Sequence, residues 1–141
     1  MIWKYTPSID VLNQIGANTL VHHLGIKVIE VGDNYIKASM PVDHRTKQPM
    51  GLLHGGASVA LSESMGSFAS VLMVGDPVKT PVVGIEINAN HLKSAKEGVV
   101  IATTTPVRIG RKIHVWNTEI HNSANELICT SRLTVMVLDD N

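Results

Sequence analysis

The chain has few aromatic residues and no net charge, and each of these properties argues against a class of binding partner. Aromatic residues make up 4% of its 141 positions, too few to suggest a base-stacking surface for single-stranded nucleic acid. Its 12 basic and 12 acidic residues cancel, so the chain lacks the positive footprint that nucleic acid or an acidic membrane attracts. We therefore expect neither nucleic acid nor membrane as a partner.

Long apolar runs and paired cysteines are missing as well. No run of about 18 apolar residues occurs, and the first ten residues lack the apolar core of a signal peptide. The single cysteine, Cys129, cannot form an internal disulfide, so the composition gives no sign of an oxidising compartment. The length suits one domain. We expect that domain to span residues 1–141 and to be cytoplasmic.

A glycine-rich turn and the apolar stretch GGASVALSESMGSFASVLMVG predict one long helix over residues 54–74. The stretch has no continuous polar stripe, which indicates a buried helix. Glu63 is its one charged residue, and no Lys or Arg occurs between Leu52 and Val78. A buried carboxylate without a partner costs free energy, so we expect Glu63 to serve function rather than stability. Alternatively, Glu63 is a structural residue whose carboxylate pairs with a residue distant in sequence.

The beginning of this helix carries no bulky side chain, because His54 is followed by Gly55 and Gly56. The first N–H groups of a helix have no internal partner, and the helix dipole makes that end electropositive. A carbonyl oxygen held there would be polarised, with Glu63 about two and a half turns further along. A capping or packing role for His54, and a tight turn at the glycines, remain open.

The rest of the chain alternates between strand-like segments and turns, giving the order β-β-α-β-β-β-β. Its short connections favour antiparallel neighbours. One long apolar helix against an antiparallel sheet is an α+β domain. The other predicted elements are a short helix at 8–17 and strands at 26–31, 35–42, 82–93, 99–107, 113–121 and 127–138.

The run MPVDHRTKQPMGLLHGGASVALSESMGS, with VVGIEINANHLKSAKEG and SRLTV, resembles the hotdog-fold acyl-CoA thioesterases. It is most similar to the branch acting on aromatic (hydroxyaroyl) thioesters, which includes enzymes of menaquinone biosynthesis and of enterobactin proofreading. The likeness covers nearly the whole chain. It implies a long sheet wrapped around a central helix. It also implies hydrolysis of a substrate such as 1,4-dihydroxy-2-naphthoyl-CoA or benzoyl-CoA to the free acid and CoA.

The resemblance implies roles for five residues. Glu63 matches the family's nucleophile or general base, and Gly55 matches the glycine whose N–H polarises the thioester carbonyl. Ser67 matches the serine one turn after the acid, and Gln48 and His54 match the polar residues before the helix. Family members form dimers, commonly paired into tetramers, with active sites at the dimer interface. Gln48, His54 and Gly55 would then come from one subunit. Glu63 and Ser67 would come from its neighbour.

The resemblance also implies a groove for the nucleotide end of CoA. Basic side chains in these segments suit phosphates, although such residues in a turn are also common on a solvated surface. The candidates are Gly84, His91, Lys93, Ser94, Arg108, Gly110 and Arg111. CoA is part of the substrate, so we expect no cofactor. The histidines show no spacing typical of zinc ligands, so we expect no metal.

Two other functions stay open at this point. The acyl group could be carried by an aryl carrier protein, as in proofreading of a misloaded synthetase, and rates on the two carriers would separate these cases. The chain could also be a non-catalytic acyl-CoA binding module, but such a module would gain from an apolar residue in place of Glu63. A hydratase of the same fold is disfavoured, because its usual Asp/His pairing is not evident.

Overall fold

The structure, a computed structural model, describes residues 1–6 and 8–138. It confirms the predicted α+β fold of the hotdog type, and the bounds of the predicted elements differ from the observed ones by at most two residues. The elements are α1 (Ile9–Ile15), α2 (Leu20–His23), β1 (Lys27–Val31), β2 (Ile36–Pro41), α3 (Gly55–Val74), β3 (Val82–His91), β4 (Val99–Ile109), β5 (Ile113–His121) and β6 (Leu127–Val137).

The six strands form one antiparallel sheet in the order β1-β2-β4-β5-β6-β3. The short connections correctly predict β4, β5 and β6 as neighbours, but they wrongly suggest that β3 lies beside β4. Instead β3 pairs with β6, because the connection after β3 crosses the end of the sheet near the start of α3. The Leu53 N–H donates to the Ala95 carbonyl at 2.8 Å, and the Val42 N–H donates to the Gly98 carbonyl at 2.8 Å. These bonds hold the crossing segment in place.

One side of α3 packs against β2, β3, β4, β5 and β6. Leu61, Met65 and Leu72 have no exposed surface there, and burying each such side chain contributes roughly 1.5–3 kcal/mol. Small residues allow the close approach. A Cβ on Gly66 would lie 2.5 Å from Leu133 Cδ2, so a larger residue at position 66 would have to displace this buried leucine side chain.

The opposite side of α3 is only half-buried, so the expectation of a helix buried all round is wrong on this side. Its half-buried residues include Val59, Glu63, Ser67 and Phe68. By length and composition alone α3 is apolar enough to cross a membrane, but half of its apolar window is buried in the fold. Core helices share that composition, and its packing identifies α3 as one of them.

The core near the C-terminal half of α3 contains a buried polar network. The rings of Trp3 and Trp116 stack with centroids 6.2 Å apart. Trp116 Nε1 donates to Ser70 Oγ at 2.7 Å, and the same oxygen lies 3.0 Å from His114 Nδ1. His114 is 3% exposed, and its burial lowers the pKa of the imidazole. Folding therefore favours the neutral form of this histidine.

The two edges of the sheet differ. On β1 the Asn13 side chain pairs with both backbone groups of Val28, at 3.1 Å to the carbonyl and 2.9 Å from the N–H. A bulge after Val28 distorts the same edge. On the other side of the sheet, β3 has β6 as its only strand neighbour within the described ranges. An open edge of this kind is a template for pairing with another chain.

Candidate active site

His54 is the N-cap of α3, as the capping alternative anticipated. Its ring Nδ1 accepts a hydrogen bond from the Gly56 N–H at 2.8 Å. Its carbonyl accepts the N–H groups of Ala57 and Ser58, at 3.0 and 3.3 Å. The remaining donor of the first turn, the Gly55 N–H, makes no hydrogen bond to residues 1–6 or 8–138. The cap thus leaves one helix-end N–H available to another molecule.

The available N–H belongs to a residue that lines a cavity of about 370 Å³. A Cβ on Gly55 would lie 2.7 Å from His91 Nε2, so a larger residue at position 55 would displace this exposed imidazole. The cavity brings together five predicted site residues and a buried serine that the sequence reasoning missed. They are Gln48, Gly55, His91, Lys93, Ser94 and the missed Ser58, beside apolar Leu52, Leu53, Leu92, Ala95 and Ile128.

The turn before the helix holds Gln48 in the wall of this cavity. Its carboxamide oxygen accepts the Met50 N–H, and its backbone N–H donates to the Leu52 carbonyl at 2.8 Å. The Gln48 oxygen is therefore engaged within the turn. Its NH₂ group has no hydrogen bond to the described residues and can donate to a bound molecule.

Glu63 lies on the half-buried side of α3, against the edge strand β3. A Cβ at Gly84 would be 2.7 Å from Glu63 Oε1, so the carboxylate lies directly on that strand. The carboxylate makes no hydrogen bond or ion pair within the described part of the chain, in line with the expectation of an unpartnered acid. It is half-buried, however, and not fully buried as expected. Ser67 lies one turn further along the same side of the helix.

The available donor and the acid are far apart within one chain. Gly55 and Glu63 are separated by about 12 Å along the helix axis, at about 1.5 Å per residue. A carboxylate or water must approach a carbonyl carbon to about 3–3.5 Å before attack. One copy of the chain therefore does not bring Glu63 to a carbonyl bound at the Gly55 N–H.

The residues predicted to bind the nucleotide of CoA fall at opposite ends of the sheet. His91 pairs with Cys129 on β6, whereas Ile109 pairs with His114, which pairs with Val135 on β6. The segment from 129 to 135 spans about 20 Å of extended strand. The structure therefore brings together His91, Lys93 and Ser94 at one end and the 108–111 segment at the other, but it does not join the two groups.

The surroundings of these residues also differ from the expectation of a single basic groove. Lys93 forms an ion pair with Glu126. Gly110 and Arg111 line a separate cavity of about 330 Å³ together with Lys4 and His114. Arg108 is exposed near the end of strand β4. In one chain these residues therefore lie on two separate surfaces and not in a single basic groove.

In the described part of the chain, neither metal-ligating side chains nor the thiol offers a second centre. Within residues 1–6 and 8–138, no three His, Cys, Asp or Glu side chains group as metal ligands. Cys129 is buried, and its burial raises the pKa of the thiol, which disfavours the reactive thiolate.

Comparison with known proteins identifies the family of the chain. The family model of the thioesterase superfamily matches residues 50–129. The 1,4-dihydroxy-2-naphthoyl-CoA hydrolase of Escherichia coli K12 is 48% identical over 138 residues, which cover 98% of this chain and 100% of that protein. The proofreading thioesterase EntH of Cronobacter turicensis is 44% identical over 138 residues, covering 98% and 99%. The crystal structure of a Haemophilus influenzae thioesterase superposes with a TM-score of 0.93 at 48% identity, covering 99% and 96%.

An open helix end beside a cavity, and an unpartnered carboxylate on the same helix, are groups that thioester cleavage can use. The family model and the relatives establish that the chain belongs to the thioesterase superfamily. The protein is a thioester hydrolase.

Proposed function

We propose that the enzyme hydrolyses aromatic acyl-CoA thioesters to the free acid and CoA. Hydroxyaroyl-CoA compounds such as 1,4-dihydroxy-2-naphthoyl-CoA, and benzoyl-CoA, are the proposed substrates. The observation that carries this proposal is the 48% identity, over 98% of the chain, to the Escherichia coli relative named for the first of these substrates. The cavity at Gly55, of about 370 Å³, falls within the usual range for small-molecule sites, which supports the proposal.

In this mechanism the thioester carbonyl accepts a hydrogen bond from the Gly55 N–H. Negative charge develops on that oxygen in the tetrahedral intermediate, where the N–H and the positive end of α3 stabilise it. One such donor contributes about 2.7–4 kcal/mol to transition-state stabilisation. The NH₂ group of Gln48, in the same cavity, orients the substrate or the attacking water.

The Glu63 carboxylate then acts on the carbonyl carbon. As a nucleophile it forms a mixed anhydride while the C–S bond breaks and CoA leaves as the thiolate, and water hydrolyses the anhydride afterwards. As a general base it takes a proton from water, which attacks the carbonyl carbon directly; the C–S bond then breaks, and the departing thiolate takes up the proton. Both routes yield the free acid and CoA. Ser67, one turn from Glu63, holds the water in either route.

The site forms between two copies of the chain in this proposal, because Gly55 and Glu63 are about 12 Å apart along one helix. Antiparallel pairing of two β3 strands would set opposite ends of the strands side by side. Gly55 lies against His91 at one end of β3, and Glu63 lies against Gly84 near the other. Pairing of the two β3 strands would therefore bring the Gly55 N–H of one copy toward the Glu63 carboxylate of the other. The same pairing brings His91 of one copy toward the 108–111 end of its partner.

We further propose that the resulting dimers pair into a tetramer, as the resemblance implies. A second candidate substrate is an aromatic acyl group carried by an aryl carrier protein. The 44% identity to a proofreading thioesterase over 98% of the chain favours it. Both substrates share the acyl group and the phosphopantetheine arm, so the same cavity would accept either.

Thiol release from benzoyl-CoA and a hydroxynaphthoyl-CoA tests the proposal, with hexanoyl-CoA as the aliphatic control and a hydroxybenzoyl aryl carrier protein as the alternative. We expect kcat/KM to be at least about tenfold higher for the aromatic CoA compounds than for the control. A higher kcat/KM on the carrier protein would favour the second candidate. Absence of thiol release from both aromatic CoA compounds would contradict the CoA proposal.

A further inference from the structure

Gly84 lies inside strand β3, where its backbone does not require glycine. Its φ is not among the positive values found at Gly25, Gly51, Gly75 and Gly98. A glycine in the interior of a strand is less stable than an alanine there, because it loses more conformational freedom on folding. Such a glycine commonly marks a bulge or a close approach of another group, and β3 has a bulge between Gly84 and Glu86.

The group that approaches Gly84 is the carboxylate of Glu63. A Cβ at position 84 would lie 2.7 Å from Glu63 Oε1 and 3.6 Å from its Cδ. The distance to Oε1 is much shorter than an ordinary van der Waals contact. The distance to the next neighbour, Leu133 Cδ1, is an ordinary contact of 3.5 Å. The space that a side chain at position 84 would fill is thus occupied by the carboxylate.

We propose that Gly84 is a positioning residue that fixes the place of the Glu63 carboxylate. The carboxylate has no hydrogen bond or ion pair to residues 1–6 or 8–138, so its packing against β3 determines where it lies. This role rests on the proposed function of Glu63 as the acting acid. It differs from a role in the nucleotide groove, because it governs the chemical step and not the affinity for CoA.

Gly84→Ala separates these two roles. Glu63 Oε1 is the far end of a flexible side chain, so the fold accommodates the new Cβ by moving the carboxylate. Restoring a contact of about 3.4 Å requires a shift of about 0.7 Å, and a misplacement of about 1 Å can cost about a hundredfold in rate. We expect kcat to fall by roughly 30–100-fold while KM changes by less than about twofold.

Val83→Ala is the matched control, because Val83 is the neighbouring residue on the opposite face of the same strand and pairs with Met136. We expect its kcat to stay within about twofold of wild type. A similar loss in both variants, with a change in oligomeric mass by sedimentation, would attribute the effect to the strand edge and overturn the proposal.

The double variant Gly84→Ala/Glu63→Gln tests whether the effect passes through the carboxylate. We expect less than about a twofold difference from Glu63→Gln alone, since two changes in one functional unit are not additive. A raised KM in both backgrounds, with kcat unchanged, would assign Gly84 to CoA binding and overturn the proposal.

Crystal structures of wild type and Gly84→Ala give a readout that does not depend on activity. We expect the Glu63 carboxylate to be displaced by about 0.7 Å or more, consistent with the missing space. An unmoved carboxylate would overturn the proposal whatever the rates. If wild type hydrolysed none of the thioesters, the proposed function would fail, whereas a displaced carboxylate would still uphold the positioning role.

Discussion

The Gly55 N–H can be removed without removing helix α3. Gly55 is the first residue of the helix, a position where proline is well tolerated because its missing N–H has no partner within the helix. His54 has φ −70° and ψ 129°, which a residue preceding proline adopts readily. Gly55→Pro therefore deletes the proposed oxyanion donor and preserves the helix start.

Gly55→Ala is the matched control, since it adds a Cβ at the same place and keeps the N–H. In both variants this Cβ would lie 2.7 Å from His91 Nε2, so both displace the exposed imidazole equally. Loss of one preorganised oxyanion donor costs about 100–1000-fold in kcat. We expect Gly55→Ala to lose less than about tenfold, and Gly55→Pro to fall at least about a hundredfold below it.

Initial rates of thiol release from benzoyl-CoA would give kcat and KM for the three proteins, with circular dichroism and urea unfolding to establish that each is folded. The difference between the proline and alanine variants reports the loss of the N–H group together with the proline Cδ that replaces its hydrogen. Equal kcat values for these two folded variants would refute the assignment of the Gly55 N–H as the group that polarises the carbonyl.

Two further predictions concern assembly and pH. When Glu63→Gln and Gly55→Pro chains are unfolded and refolded together, half of the dimers are mixed and one of their two sites carries neither change. About a quarter of wild-type activity should return, and no recovery would mean that both groups act within one chain. Burial lowers the pKa of the His114 imidazole below its ordinary value of 6.5. Just below pH 6.5, His114 is therefore protonated in the unfolded chain and still neutral in the folded chain. The free energy of unfolding is then unaffected by His114 well above pH 6.5 and falls as pH drops toward the lower folded pKa, by up to about 1.4 kcal/mol per unit. Urea unfolding between about pH 8 and 5 should give a smaller slope for His114→Asn than for wild type, and equal slopes would contradict this cause.

The helix that carries the site could be predicted closely from the sequence. An uninterrupted stretch of apolar and small residues after a glycine-rich turn specifies both its type and its beginning, and the observed helix starts one residue after the predicted one. The sequence also suggests an unpartnered acid at Glu63, because no basic residue lies nearby along the chain. These are local properties, which neighbouring residues determine.

The order of the strands could not be predicted from local pattern. A short connection after β3 suits a hairpin. In the structure this connection instead crosses the end of the sheet, where it is hydrogen-bonded to the backbone of Leu53 and Val42. That crossing places β3 at the open edge and separates His91 from Arg108 and Arg111. Distant pairing partners determine these positions, and a single sequence does not identify such partners.

The contact between Gly84 and Glu63 could be predicted only in part from the sequence. The glycine inside VVGIEINANH signals that something approaches the strand closely. Which group approaches depends on how α3 crosses β3, and only the tertiary structure provides that information.

The most direct test of the proposed mechanism is the rate of thiol release by Glu63→Gln beside wild type, on benzoyl-CoA and a hydroxynaphthoyl-CoA. The substitution keeps the size of the side chain and removes its charge. We predict a loss of roughly a hundredfold or more in kcat with the fold intact, because the carboxylate acts in the chemical step. Equal hydrolysis by the two proteins would make Glu63 a structural residue and contradict the mechanism.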